Sequence, residues 1–358
     1  MGRVTLQTVA DKVGVSRMTV SNAFSRPDQL SATLRARILS VADELGYVGP
    51  DPAGRALARG STGAVGIVLT DSVQTAFADD VATEFLGAIA GGLAPTGLSL
   101  TLLPAQETDG VVPARDVAMD GALVYHCDTR SEALQWLFRR KLPVVLIDQH
   151  PIDGVASVNV DDRDGARAAA QLLVDLGHRR IGIVTAGVTG PHGLVTEEDP
   201  GQVHAYPAEM RMRGWRDALE PAGVEPVVVR LRHGVYDEAY SGLAMLLDAD
   251  PELTAVLCFS DTIAEGVLVA AADRGISVPA DLSVVGFDDS ALATRVRPSL
   301  TSVHQDVTEK GRRAAALLTD AVAAVREDGS SPSEQVMLPT TLVIRDSTAP
   351  PRSGQRSA

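Results

Sequence analysis

Apolar positions in the first forty-five residues recur every three to four places, and polar caps or glycines interrupt the rhythm. Thr5 is placed to cap a helix through Lys12, with Leu6, Val9, Ala10 and Val13 on one face. Gly14 breaks it, and Ser16 caps a second helix to about Phe24 whose buried side is Val20, Ala23 and Phe24. After a loop at Pro27-Asp28, Ser31 caps a third helix to Leu45, with Leu34, Ile38, Val41 and Leu45 in one stripe and Gly46 as its stop. Gly49-Pro50-Asp51-Pro52 then interrupts the chain. A short helix-capable stretch, Ala53–Arg59, lies between that break and the flexible Gly60-Ser61-Thr62-Gly63.

From Ala64 the period changes. Continuous apolar runs at 64–69, 98–104, 121–126, 143–148, 181–185, 226–231, 255–259 and 283–287 predict strands. Amphipathic segments near 79–93, 130–140, 164–176, 207–220, 236–248, 262–274 and 307–326 predict helices between them. Strands that are apolar on both faces and alternate with helices form parallel sheets covered on both sides. Eight such units exceed one doubly wound sheet, so two lobes are expected. Residues 186–206 read as a long loop, and the Pro- and Ser-rich 347–358 as a disordered tail. The division is a head at 1–48, a linker at 49–62 and a core at 63–346. Lobe 1 takes about 63–160 and 291–325, and lobe 2 about 161–290 and 326–346.

Charge sharpens this division. The chain carries a net −14, yet residues 1–62 hold 8 Lys/Arg against 5 Asp/Glu and the remainder 24 against 41. A basic head on an acidic body meets the local requirement for binding phosphates. The charged N-terminus has no apolar run of a leader, and no stretch reaches the roughly 18 apolar residues of a membrane span, so cytoplasmic residence without membrane association is expected. Cys127 and Cys258 sit in strand-like runs, which argues against a disulfide framework. The seven histidines show no metal-ligand spacing with one another or with the cysteines.

The head's spacing is that of a helix-turn-helix, in which Val15 packs the turn and the second helix enters a major groove. Arg17, Met18, Ser21 and Asn22 share the face that would meet base edges, Arg17 suiting guanine and Asn22 adenine. The hydroxyls of Ser16, Thr19 and Ser31 lie at helix N-termini, where phosphate oxygens are favoured. The run Thr5, Val9, Ala10, Gly14-Val15-Ser16, Thr19-Val20-Ser21 resembles the head of the lactose/galactose repressor (LacI/GalR) family, and the resemblance extends over nearly the whole chain. It implies a sequence-specific transcriptional regulator, a repressor acting on double-stranded operator DNA, with Thr5 in the DNA-binding set. The family's hinge pattern, N-x-x-A-R-x-L, is met by Asp51, Gly54, Arg55 and Leu57, with Asp for Asn and Gly for Ala. The resemblance implies that Arg55 and Leu57 reach DNA, Leu57 wedging into the minor groove.

The core resembles periplasmic sugar-binding proteins, two doubly wound α/β lobes with a ligand between them. Ligands in such sheets bind beyond the carboxyl ends of the strands. Asp148 ends one strand, Asp261 follows another and Asp288 a third. By resemblance, Arg211 of R-x-x-G-[FW] and Asp288 of Gly286-Phe287-Asp288-Asp289 contact the effector, Asp261 stands in the family's N-D pair, and Phe77 and Tyr236 offer aromatic faces. Carboxylates, an arginine and aromatic faces suit a sugar-like or nucleoside-like effector. No dinucleotide or phosphate loop follows the first core strand and no nucleophile elbow is present, so neither catalysis nor a cofactor is expected. The attached head argues against a stand-alone solute receptor, and tandem lobes argue against a response regulator. The tail has neither leucine nor heptads, so association is expected to stop at a homodimer.

Overall fold

The computed structural model describes residues 4–352, apart from 70–72, 108, 126–130, 190, 197–201, 204, 233–235, 328 and 330–332. The chain forms two compact units, Met1–Gly63 and Ala64–Ala358.

The first unit is helical. α1 (Leu6–Val13) starts at Thr5, whose side chain and that of Thr8 reciprocally satisfy each other's backbone N–H, and it ends at left-handed Gly14 (φ 80°). α2 (Arg17–Ser25) is capped by Ser16 Oγ, which accepts from Thr19 N at 3.0 Å. α3 (Ala32–Glu44) is capped by Ser31 in the same way. Val9, Ala10, Val13, Val20, Ala23, Ile38 and Ala42 make the buried centre, and Phe24 meets Tyr47 edge-on. The stretch after the proline break is a real helix, α4 (Pro52–Arg59). Asp51 accepts from Ala53 N at 2.8 Å, Pro52 supplies a preset first turn, and Gly60 closes it (φ 67°). The aspartate that replaces the family's asparagine therefore still caps.

In the second unit the first sheet collects β1 (Ala64–Leu69), β2 (Ser99–Pro104), β3 (Ala122–Tyr125), β4 (Val144–Ile147) and β5 (Ala156–Val160). Between them run α5 (Val73–Ala78), α6 (Asp80–Leu93), α7 (Pro113–Asp116) and α8 (Glu132–Arg139). The chain then enters the second lobe through α9 (Asp162–Asp175), β6 (Ile181–Thr185), β7 (Val188–Thr189), β8 (Gly193–Leu194), β9 (Gln202–Val203) and α10 (Tyr206–Leu219). β10 (Val227–Arg230), α11 (Tyr236–Ala249), β11 (Ala255–Cys258), α12 (Asp261–Asp273), β12 (Ser283–Asp288), α13 (Ala291–Arg295) and β13 (Thr301–Gln305) complete most of it. α14 (Val307–Glu327) and β14 (Gln335–Leu338) return to the first lobe, and β15 (Thr340–Val343) to the second. The orders are β14-β5-β4-β3-β1-β2 and β15-β13-β12-β11-β6-β10-β8, parallel except for the β8 and β15 edges.

These pairings correct the sequence division at three places. β13 was expected in lobe 1, but it pairs with β12 of the second sheet; only α14 after it packs on lobe 1, against α6. Residues 326–346 were expected in lobe 2, but β14 pairs in parallel with β5 of the first sheet. The strands β5 and β13 were missed because buried Ser157, Asn159, Ser302 and Gln305 interrupt their apolar runs, and β14 and β15 because each is a four-residue strand that is half-exposed rather than continuously buried. Residues 186–206 are not wholly a loop, since they hold β7, β8 and β9, with β7 and β9 paired antiparallel. The tail expectation also fails for 347–352. Ser347 Oγ donates to Val284 O and accepts from Thr301 N (2.6 and 2.8 Å), while Ala349 O meets His178 Nε2 at 2.9 Å, so this segment straps the base of lobe 2.

The chain thus crosses between lobes three times, next to Asp161, Asp306 and Pro339. Asp161 N donates to Leu338 O and Thr340 Oγ1 to Asp161 O, both at 2.9 Å, so two of the crossings are tied together. Gly165 beside them is obligatory. A Cβ there would lie 2.6 Å from Thr340 Oγ1 and Val303 Cγ1.

Candidate functional site

On the first unit, α2 presents Arg17 and Met18 to solvent, Met18 being 69% exposed despite its apolar chain. Ser21 and Asn22 are half-buried, and Asn22 Nδ2 donates to Gln29 Oε1 at 3.1 Å. Ser16 and Thr19 are hydrogen-bonded to each other at 2.8 Å, and whichever hydroxyl accepts in that bond keeps its own O–H for an external acceptor. Thr5 and Ser31 are exposed caps. On α4, Arg55 is exposed and Leu57 is 87% exposed. Leu57 thus stands outside the buried apolar cluster of the unit.

In the core, polar side chains converge where the strands of both lobes end. α10 carries Arg211 inward because Gly214, three residues on, lets α10 lie directly on α9; a Cβ there would be 2.1 Å from Arg163 O. Trp215 of the same motif is buried against that contact. Arg211, only 4% exposed, donates from Nε to Asp162 Oδ1 (2.8 Å), from Nη1 to Phe259 O and from Nη2 to Asp288 Oδ1 (3.4 Å). Its guanidinium lies 3.5 Å from the Phe287 ring centroid and 4.5 Å from that of Phe259. Asp288 also accepts from Gln305 Nε2 at 2.7 Å. Gln305 Oε1 accepts from Lys310 Nζ (2.9 Å), and Lys310 donates at 2.7 Å to Asp148 Oδ2. The chain Asp162–Arg211–Asp288–Gln305–Lys310–Asp148 therefore runs from lobe 2 into lobe 1 through buried groups. At its outer rim His150 meets Glu209 at 2.8 Å and Arg295 donates to Asp80 at 3.0 Å, each pair joining the two lobes.

Burial sets the electrostatics. It pushes the Asp288 carboxyl up to about 8, against the opposing pull of Arg211, and raises that of Asp162 in the same way. Burial lowers the Arg211 pKa, but Asp162 and Asp288 outweigh it, and the guanidinium stays above its ordinary value. Backbone strain gathers here too: Asp148 (φ 53°), Asp288 (φ 107°) and Asp289 (φ 53°) adopt positive φ at strand ends. Such conformations cost on the order of 1–3 kcal/mol each and persist where the surroundings over-determine them.

Of the sequence-predicted core residues, the structure brings Asp148, Arg211 and Asp288 into this one network. Asp261 lies apart, inside lobe 2: its oxygens already accept from Ser302 Oγ (2.6 Å), Ser290 N (2.7 Å) and Ser290 Oγ (3.1 Å), and Ser260 rather than Asp261 caps α12. Phe77 ends up exposed on α5. Tyr236 begins α11, but its side chain lies outside the described residues. Sequence reasoning missed Asp162, Gln305 and Lys310. Lys310 had a readable signal, a lysine on the stripe Val307, Lys310, Gly311, Ala314 that otherwise buries α14. Among the described residues no cluster of His, Cys, Asp or Glu is arranged to hold a metal, and no helix is long and apolar enough to cross a membrane.

The comparisons agree with this two-part architecture. The family described as bacterial regulatory proteins, lacI family, matches residues 5–49, and a periplasmic binding protein-like domain matches 156–348. The HTH-type transcriptional regulator IpsA of Corynebacterium glutamicum is 37% identical over 322 residues, 87% of this chain and 89% of that one. The chain belongs to the LacI family. The regulator CelR of Thermobifida fusca is 30% identical over 356 residues, 96% of this chain and 98% of that one. A solved LacI-family regulator from C. glutamicum superposes with a TM-score of 0.71 at 31% identity, covering 98% of this chain and all of that one. The operator-bound lac repressor dimer, at 22% identity and a TM-score of 0.75, shares the fold. This LacI-family chain is accordingly a DNA-binding transcriptional regulator whose helix-turn-helix is joined to an effector-binding core.

Proposed function

We propose that this regulator is a cytoplasmic, non-enzymatic repressor that binds a pseudo-palindromic operator as a homodimer and is switched by a neutral polyhydroxylated effector held between the core lobes. The observation that carries the reading is the buried network Asp162–Arg211–Asp288–Gln305–Lys310–Asp148, which joins both lobes at their strand ends. A ligand whose hydroxyls exchange with these bonds differs in contact between lobe orientations, and only such differential contact can shift an equilibrium. The solved CelR–cellobiose complex, 28% identical with a TM-score of 0.68, supports a sugar-like effector. In the head, Arg17, Met18, Ser21 and Asn22 read bases while Thr5, Ser16, Thr19 and Ser31 hold phosphates; Arg55 and Leu57 enter the minor groove. In the core, Asp148, Arg211 and Asp288 contact the effector, with Phe77 and Tyr236 at its edge; Asp261 supports Ser290 and Ser302 behind it.

Operator selection from a randomised duplex library tests the head. The selected site should show two inverted half-sites, and exchanging Arg17 and Met18 should change the preferred bases with nonspecific affinity within about twofold, because that affinity is set by phosphate contacts. A selected site without dyad symmetry refutes the dimeric reading.

A further inference from the structure

Lys310 is out of place by the ordinary logic of a buried helix face. α14 packs on α6 so closely that a Cβ at Gly311 would meet Ala88 Cβ at 2.6 Å, and the neighbouring position on that stripe is a lysine only 1% exposed. An apolar side chain of the same length would bury there without desolvating a charge, and buried ion pairs are commonly no better than apolar replacements for stability. The ammonium is nevertheless held by two acceptors. It donates to Asp148 Oδ2 at 2.7 Å and to Gln305 Oε1 at 2.9 Å, with Nζ 5.7 Å from the Phe85 ring centroid, and Phe85 in turn stacks on Tyr125 at 4.7 Å. By taking Gln305 Oε1, the lysine also fixes which end of that amide faces lobe 2, leaving Nε2 to donate to Asp288.

We propose that Lys310 is a specificity-determining residue of the cleft: a built-in cation that occupies the anionic end at Asp148, admits neutral hydroxyl-bearing ligands and shuts out ligands carrying an ammonium group. This rests on the cleft being the effector site. It goes further by naming the residue that sets the charge of the ligand. Without the lysine, Asp148 and Gln305 would form an acceptor-lined recess complementary to an alkylammonium, since the atoms removed by Lys310→Ala correspond to propylammonium.

The test uses the full-length protein and measures thermal unfolding with propylammonium chloride, with propan-1-ol as the neutral isostere and sodium chloride as the ionic-strength control. Lys310→Ala should melt below the wild type and gain a saturable rise of about 3–4 °C from propylammonium, the scale for a ligand at some tens of times its Kd. Propan-1-ol should recover less than a third of that rise, the wild type should not respond, and Lys310→Ala/Asp148→Asn should lose the response. If Lys310→Ala does not fold alone, refolding with and without propylammonium gives the same reading, recovery supporting the proposal and its failure overturning it. Equal rescue by propan-1-ol, equal stabilisation of the wild type, or a response surviving Asp148→Asn overturns it as well. A failure of the effector-site reading shows elsewhere, as normal ligand-dependent operator release in an Arg211 variant, and leaves the amine result intact.

Discussion

Arg211→Ala should cost the core both its stability and its ligand response, and the two losses are separable. The guanidinium serves two carboxylates and a carbonyl and lies over two aromatic rings, while its partner Asp162 is wholly buried. Removing one partner of a buried pair costs about 3–5 kcal/mol. Losing the stacked cation adds about 1–2 kcal/mol. Asp288 offsets part of this, because its carboxyl is already pushed up to about 8 and tolerates loss of the cation by staying protonated. A net of about 4 kcal/mol corresponds to a fall in melting temperature of roughly 6–7 °C for a unit of this size. Differential scanning fluorimetry reads that fall, and fluorescence anisotropy on the selected operator reads ligand-dependent release. Arg211→Met/Asp162→Asn should recover most of the stability by removing the stranded charge while still failing to respond to ligand. A melting temperature within about 2 °C of wild type in Arg211→Ala would refute the buried-pair account. Full ligand response in the double variant would remove Arg211 from the effector site.

On the hinge, Leu57→Ala should weaken specific operator binding by about 2–3 kcal/mol, the scale of unstacking a base step, with nonspecific binding unchanged; equal losses in both would make Leu57 a folding residue. Gly54→Ala should tighten operator binding by up to about 1 kcal/mol, because Gly54 lies within α4, the new Cβ meets only Asp51 Cβ at 4.0 Å, and alanine favours a helix; weaker binding would argue that the glycine is needed for close approach to DNA. The carboxyls of Asp261 and Asp288, raised by burial to about 6 and about 8, contribute stability that is full below an unfolded value near 4 and is lost as pH rises through those folded values. Melting temperature should therefore decline between pH 5 and pH 9, and Asp288→Asn should flatten the upper half of the decline; an unchanged slope would show that Asp288 ionises normally in the fold.

What the sequence made legible follows from how each element is stabilised. The head helices are capped by their own serine and threonine side chains, and their ends are signalled by glycine or a loop, so local pattern suffices to place Thr5, Ser16 and Ser31. The apolar strands from β1 to β12 were legible for the same reason, apart from β5 and the two-residue pieces between β6 and α10. β5, β13 and β15 were not, because polar residues in them are satisfied by distant chain, and β14 was not, because it is a four-residue, half-exposed strand. Asn159 Nδ2 donates to Gln149 O and Oδ1 accepts from Gln149 N, while Ser302 Oγ donates to Asp261. The strap at 347–351 was hidden likewise, since its proline and serine composition resembles a tail until Val284, Thr301 and His178 supply partners.

The same distinction explains the site. Asp148, Arg211 and Asp288 were found because they close strands or sit in a recognisable motif. Asp162, Gln305 and Lys310 owe their position to the places where the chain changes lobes: Asp162 follows the first crossing, and Gln305 and Lys310 flank the second. At a crossing a short stretch of chain presents polar groups to both sheets at once, and a rotation of one lobe against the other would bend the chain there. A charge buried there is therefore coupled to lobe orientation in a way that a charge elsewhere in the cleft is not. Lys310 and Asp148 both belong to lobe 1, so the Gln305–Lys310 bond is the link of the network that spans the lobes, and a relative movement of the lobes would stretch it. Losing that bond on a lobe movement would give the network two energetically distinct states, which is the physical requirement for a ligand at the strand ends to act on the protein as a whole.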